Sequence, residues 1–250
     1  MSRSSTRRSW VIGVMTMSGL LLALVSVGSA QAAQTVAWAP AKTTPSKCVI
    51  KGYRPNKVVV GSTPVKKTVT VKVTGCTPYH WSLDIDALSG WVQSETPSLV
   101  IDPADLSNGS SGSGYAYVWV VSSPSDGSDP SAGLDTTFTI LRRATFGPTV
   151  NAAPEPTKKG ETLTISGRLK RVDWTEALKP YQGYAKQKVL VQFQAKGAKT
   201  YTTVKTVRTA EGGKVSTKVA ATESGTWRLH YGGNSTTGPA NSTGDDVTVG

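Results

Sequence analysis

The chain has 250 residues, and 28 Lys and Arg against 16 Asp and Glu give it a net charge of +12. Two histidines and two cysteines leave little material for zinc chemistry, since no CxxC and no closely spaced His pair accompanies them. An excess of cations favours anionic partners, and the length suffices for two domains of ordinary size.

The first element is an export leader. Arg3, Arg7 and Arg8 precede an apolar stretch from Trp10 to Val27, and Ala30-Gln31-Ala32 supplies a small-residue cleavage site. Gly13, Thr16, Ser18 and Gly19 dilute the apolar run, which fits a signal peptide over residues 1–32 better than a stop-transfer helix. The two adjacent arginines also resemble a twin-arginine signal, so the general secretory and twin-arginine routes both stay open. No later stretch is apolar enough to anchor the mature chain in a membrane. Removal of the leader leaves 25 basic against 16 acidic side chains, and the excess is uneven: residues 33–148 hold 10 basic and 8 acidic groups, whereas residues 149–250 hold 15 and 8.

Cys48 and Cys76 both lie in the first half, and in an oxidising compartment they predict one disulfide. Period-two alternation then dominates. Thr68-Val69-Thr70-Val71-Lys72-Val73 places three valines on one side of a half-buried strand. Tyr115, Tyr117, Trp119 and Val121 predict a second buried face of the same kind. Between them, residues 107–114 are Ser and Gly with one Asn, too little side chain to hold a fixed loop.

In the second half Val189, Val191, Phe193 and Ala195 alternate with polar neighbours, and Trp227, Leu229 and Tyr231 do so around Arg228 and His230. Residues 64–75 and 156–167 are alike: each starts at a proline, continues through lysines and a Thr-rich apolar alternation, and ends at glycine. Two such copies about ninety residues apart predict two tandem β-sandwiches of about 100 residues. We place them at 46–145 and 146–250, with the change near Thr145 to Thr149. The long connection 171–186 carries Trp174, Tyr181 and Tyr184 and is expected to fold over one end of the second sandwich.

Lys159-Gly160-Glu161-Thr162-Leu163-Thr164-Ile165-Ser166-Gly167-Arg168-Leu169, Asp173-Trp174, Tyr201 to Val207 and Gly225-Thr226-Trp227-Arg228 together resemble the C-terminal domain of a group of secreted actinobacterial proteins. That group is largely uncharacterised, is assigned immunoglobulin-like folds and is sometimes labelled calcium-binding. The resemblance covers residues 146–249 well and the first half loosely. It implies an all-β chain of two tandem immunoglobulin-like sandwiches and carries no catalytic residue across. Because Cys48 and Cys76 do not bracket a central Trp, the disulfide is expected to tie an entering segment to the end of the next strand.

Catalytic signatures are missing: there is no G-x-S-x-G, no H-E-x-x-H and no Gly-rich phosphate loop, and His80 and His230 fall in different halves. Asp84 and Asp86 share one strand face, whereas a glycosidase draws its acid and nucleophile from separate elements. Asp126, Asp129 and Asp135 offer hard oxygen ligands for calcium, as do Asp102 and Asp105, without the spacing of an EF-hand. Trp174, Tyr181, Tyr184, Lys186 and Lys188 are candidate ligand-binding residues. Trp81, Trp91 and the loop aromatics are candidates for meeting sugars or protein. No recognition helix or aromatic RNA-binding signature points to nucleic acid. The expectation is a secreted, non-catalytic binding or structural module without a cofactor, held at the cell envelope by its basic second domain through an anionic wall polymer, a glycan or an extracellular protein. A calcium-binding protein and a glycan-binding accessory protein are the alternatives.

Overall fold

A computed structural model describes residues 48–88, 90–122, 131–147 and 149–250, all within one compact unit. The leader and its cleavage site lie outside the described residues, as do Asp126 and Asp129.

Nine strands come first: β1 (Val49–Arg54), β2 (Lys57–Val60), β3 (Val65–Thr68), β4 (Thr70–Thr74), β5 (Pro78–Ile85), β6 (Trp91–Gln93), β7 (Ser98–Ile101), β8 (Gly112–Ser122) and β9 (Ser131–Arg142). One sheet runs β2-β9-β8-β5-β6, with β2 parallel to β9; opposite it stand the ladders β1-β4 and β3-β7. Pro55, which has no N–H to donate, separates β1 in one sheet from β2 in the other. Tyr53, Val69, Leu99 and Ile101 from one side meet Leu83, Val118, Val120 and Phe138 from the other, each at most 4% exposed. Each such side chain contributes roughly 1.5–3 kcal/mol by leaving water.

Ten strands follow: β10 (Ala144–Phe146), β11 (Asn151–Ala153), β12 (Thr162–Val172), β13 (Tyr181–Gly183), β14 (Lys188–Ala195), β15 (Thr202–Arg208), β16 (Lys214–Ala220), β17 (Gly225–Tyr231), β18 (Ala240–Asn241) and β19 (Asp245–Val247). The long β12 gathers β10, β11, β13 and β16 into one sheet, and β15-β14-β17 with β18 and β19 forms the other. Leu163, Ile165 and Leu169 pack against Val189, Val191, Phe193, Trp227 and Leu229 between them. The only helical pieces among the described residues are three 3-10 turns, at Pro103–Asp105, Asn108–Ser110 and Glu211–Gly213. The chain is all-β, with two tandem β-sandwiches and two separate apolar cores.

Cys48 and Cys76 are joined, Cα to Cα 5.1 Å, the first immediately before β1 and the second two residues after the end of β4. Val49 pairs with Thr74 in that ladder, so the bond staples two neighbouring strands within one sheet rather than crossing the core.

Two expectations are corrected. On β8 it is Ala116, Val118 and Val120 that are buried, while Tyr115 and Trp119 are 47% and 41% exposed. Both sides of this strand are apolar, and the core takes the small and β-branched side. Residues 107–114 do not form a loop without fixed packing either. They make the Asn108–Ser110 turn, closed by Ser107 and Ser110, and then enter β8.

Candidate functional site

The chain passes from one core to the other between Ile140 and Ala144, and the joint there is polar and crowded. Arg142 is 6% exposed; its Nε donates to the Val172 carbonyl at 2.7 Å and its guanidinium lies 6.0 Å from the Trp174 ring centroid. Trp174, from the 171–186 connection, packs against the first core and donates its indole N–H to the Gly61 carbonyl at 3.0 Å. Asn108 donates to the Asp173 carboxylate at 2.7 Å and accepts from the Trp174 backbone N–H at 3.2 Å. Hydrogen bonds from Thr175 and Asn108 hold the Asp173 carboxyl below its usual range, with a smaller contribution from the Arg142 charge. A β-carbon on Gly61 would stand 3.0 Å from the Tyr181 hydroxyl. Tyr184 meets Tyr231 edge-on at 6.0 Å and lies beneath the Arg171 guanidinium at 4.0 Å.

The three aromatics of the 171–186 connection therefore serve the structure. Trp174 and Tyr181 reach the first sandwich rather than folding only over the end of the second, and Tyr184 is half-buried. Their spacing in the sequence carries no sign of this, because the partners Gly61 and Asn108 are more than sixty residues away.

Lys186 and Lys188, by contrast, do converge. With Arg208 they line a cleft of about 320 Å³ floored by Leu190, Gly232 and Gly233. Lys188 stands directly opposite Arg208 in the β14-β15 ladder. Like charges in such a pair repel, and the cleft lining contains no carboxylate. Among the described residues the ion pairs within 4 Å are His80 with Glu95 and Arg142 with Asp173, so none of these three cations has an acidic partner at that distance. Arg208 was missed in the sequence because its neighbour across the sheet is twenty residues away.

A few other polar clusters resemble catalytic ones. His80 Nδ1 is 2.8 Å from Glu95 Oε1 and 3.3 Å from Ser94 Oγ. A relay needs the acid and the nucleophile on opposite ring nitrogens, whereas here both meet the same atom. The hydrogen bond with His80 lowers the Glu95 carboxyl below its usual range. His230 faces Asn241 Oδ1 at 2.7 Å, on the outer side of β17 as expected. Among the described residues no group of three or more His, Cys, Asp or Glu is arranged to hold a metal ion. Asp135, one of the candidate calcium ligands, accepts a hydrogen bond from the Tyr115 hydroxyl at 2.6 Å, and that bond pushes the phenol up to about 12. No helix among the described residues is long and apolar enough to cross a membrane.

No protein-family model matches this chain, and no curated protein matches it. Solved structures do. Fibronectin(III)-like modules of Clostridium thermocellum CbhA are 16% identical, with 81% of this chain and 92% of that one aligned at a TM-score of 0.35. The three N-terminal domains of the highly immunogenic outer capsid protein of bacteriophage RB49 are 15% identical over 81% and 69%, at 0.33. The D00-D0 domain of intimin is 13% identical over 81% and 98%, at 0.28. These likenesses are loose, and the description of the fold rests on the strand pairing and the two cores.

Proposed function

We propose that the protein is an exported, non-catalytic binding module retained at the cell envelope through its second sandwich, where Lys186, Lys188 and Arg208 take an anionic polymer. The observation that carries this reading is the three-cation cleft with no carboxylate in its lining. An anionic group seated there would relieve the repulsion between Lys188 and Arg208, and the excess of 15 basic over 8 acidic groups in residues 149–250 would draw a polyanion toward it. The leader of residues 1–32 is what would bring the chain to that polymer.

The test is retention of the purified mature chain on isolated cell-wall material across a salt series. Binding should weaken steadily as salt rises, because exposed charges are screened within about 10 Å at 0.1 M. Each of Lys186→Gln, Lys188→Gln and Arg208→Gln should weaken it roughly two- to fivefold, the scale of one exposed charge contact. Salt-independent retention, or a triple variant that binds as the parent does, would refute the reading.

A further inference from the structure

The outward face of the β6-β5-β8-β9 sheet in the first sandwich has a chemistry unlike the rest of the surface. Across one row stand Trp91, Asp84, Tyr117 and Asp135; across the next, Gln93, Ser82, Trp119 and Gly133. Trp91 is 66% exposed, the highest of any aromatic among the described residues, although hydrophobic burial favours hiding so large a ring. Trp91 and Tyr117 lie two strand spacings apart, about 10 Å. With Trp119 they wall a cleft of about 370 Å³ floored by Ser82 and Asp84, a volume in the range of small-ligand sites.

The two tyrosines of this face are also held in place. Tyr117 leans over Gly133, where a β-carbon would fall 2.1 Å from its hydroxyl, so only glycine lets the ring lie down on the sheet. Tyr115 leans the same way and is fixed by its hydrogen bond to Asp135. Ordering the contact groups before the ligand arrives removes part of the entropic cost of binding.

We propose that this face binds a neutral polysaccharide chain, with sugar rings stacked on Trp91, Trp119 and Tyr117 and sugar hydroxyls donating to Asp84 and its neighbouring polar groups. Flat C–H faces of pyranoses match the negative faces of aromatic rings, and an ionised carboxylate accepts up to two strong O–H bonds from adjacent hydroxyls. The charge on the face selects among occupants. Asp84 sits between Trp91 and Tyr117, Asp86 beside Tyr115, and Asp135 beyond Tyr117, while Lys57 lies at the far edge in β2. Three carboxylates repel nucleic acid and anionic wall polymers. A protein partner would have to desolvate those acids in the centre of its interface, where charged residues are depleted. A hydroxyl-rich neutral chain satisfies them. The site is separate from the basic cleft and does not depend on it.

The experiment is native gel retardation of the mature chain in hydroxyethylcellulose, xylan and glucomannan, together with co-sedimentation on sacculi stripped of anionic polymer. The parent should be retarded by at least one of these glycans and stay retarded in about 0.5 M salt, where charge contacts are screened. Trp91→Ala and Trp119→Ala should each weaken binding about tenfold, the scale of one planar ring stacked on an aromatic side chain, with unchanged circular dichroism. Gly133→Ala, which displaces the Tyr117 ring, should weaken it less. The triple variant Lys186→Gln, Lys188→Gln, Arg208→Gln should bind these glycans as the parent does, which separates this site from envelope retention. No retardation in any of the glycans, or full binding by both tryptophan variants, would overturn the proposal. So would a dimer in sedimentation velocity that Trp91→Ala dissolves, which would assign the face to a second copy of the chain.

Discussion

Trp174 spans the joint between the sandwiches. Its ring packs on the first core and its N–H reaches Gly61, while its own backbone belongs to the second sandwich. Trp174→Ala should remove that burial and leave the Gly61 carbonyl without this donor, a cost of about 2–3 kcal/mol read from the urea midpoint. Asp173 beside it sets a pH dependence. Its folded-state pKa is lowered, so its contribution is complete above the unfolded value near 4 and is lost as pH falls through the lower folded value. The stability gap between the parent and Asp173→Asn should therefore be constant from about pH 7 to 5 and close as the pH drops toward 2, checked by urea unfolding at each pH. Trp174 stood out in the sequence as an aromatic in a loop, but what it touches did not, because residue type tells how much a ring gains by burial and not where.

Among the elements, β8 shows both the power and the limit of alternation. A period of two correctly identifies a strand at residues 115–121, which the structure extends to 112–122, and the same pattern correctly puts Val189, Val191 and Phe193, then Trp227, Leu229 and Tyr231, inside the second core. Where both sides of a strand are apolar, the period cannot choose which side faces inward, and a shift of one residue exchanges them. In β8 the space between the sheets suits Ala116, Val118 and Val120, and the larger rings are left in solvent. The strand pair β1-β4 is fixed covalently: 28 residues separate Cys48 from Cys76. In the chain-entropy model a loop of that size contributes about 3–4 kcal/mol. Replacing both by Ser should lower the stability of the first sandwich by that amount in thermal or urea unfolding, without changing the sheet signal in circular dichroism at room temperature.

At the scale of the molecule, two cores that do not merge are joined by hydrogen bonds coming from three separate stretches, around Asn108, Arg142 and Trp174, with Arg142 also exchanging backbone bonds with Thr236 and Gly238. Such a joint holds the sandwiches in one arrangement. Small-angle scattering of the parent should fit a single conformation, and the double variant Asn108→Ala, Trp174→Ala should show a larger radius of gyration and a broader distance distribution. A fixed arrangement also sets the distance between the cation cleft on one sandwich and the aromatic-acidic face on the other, so the two proposed sites would be presented at a constant separation. The sequence by itself determined the all-β class, the tandem plan and the disulfide pair, because strand periodicity, turn residues and a lone even pair of cysteines are local or countable signals. It also placed the positive charge in the second half. Only the tertiary structure decided which face of β8 meets water, that Arg208 joins Lys186 and Lys188, and that Trp174 and Tyr181 reach the first sandwich. Each of these depends on which distant strands become neighbours, and that is set by how side-chain volumes fill the space between two sheets rather than by the order of residues along one.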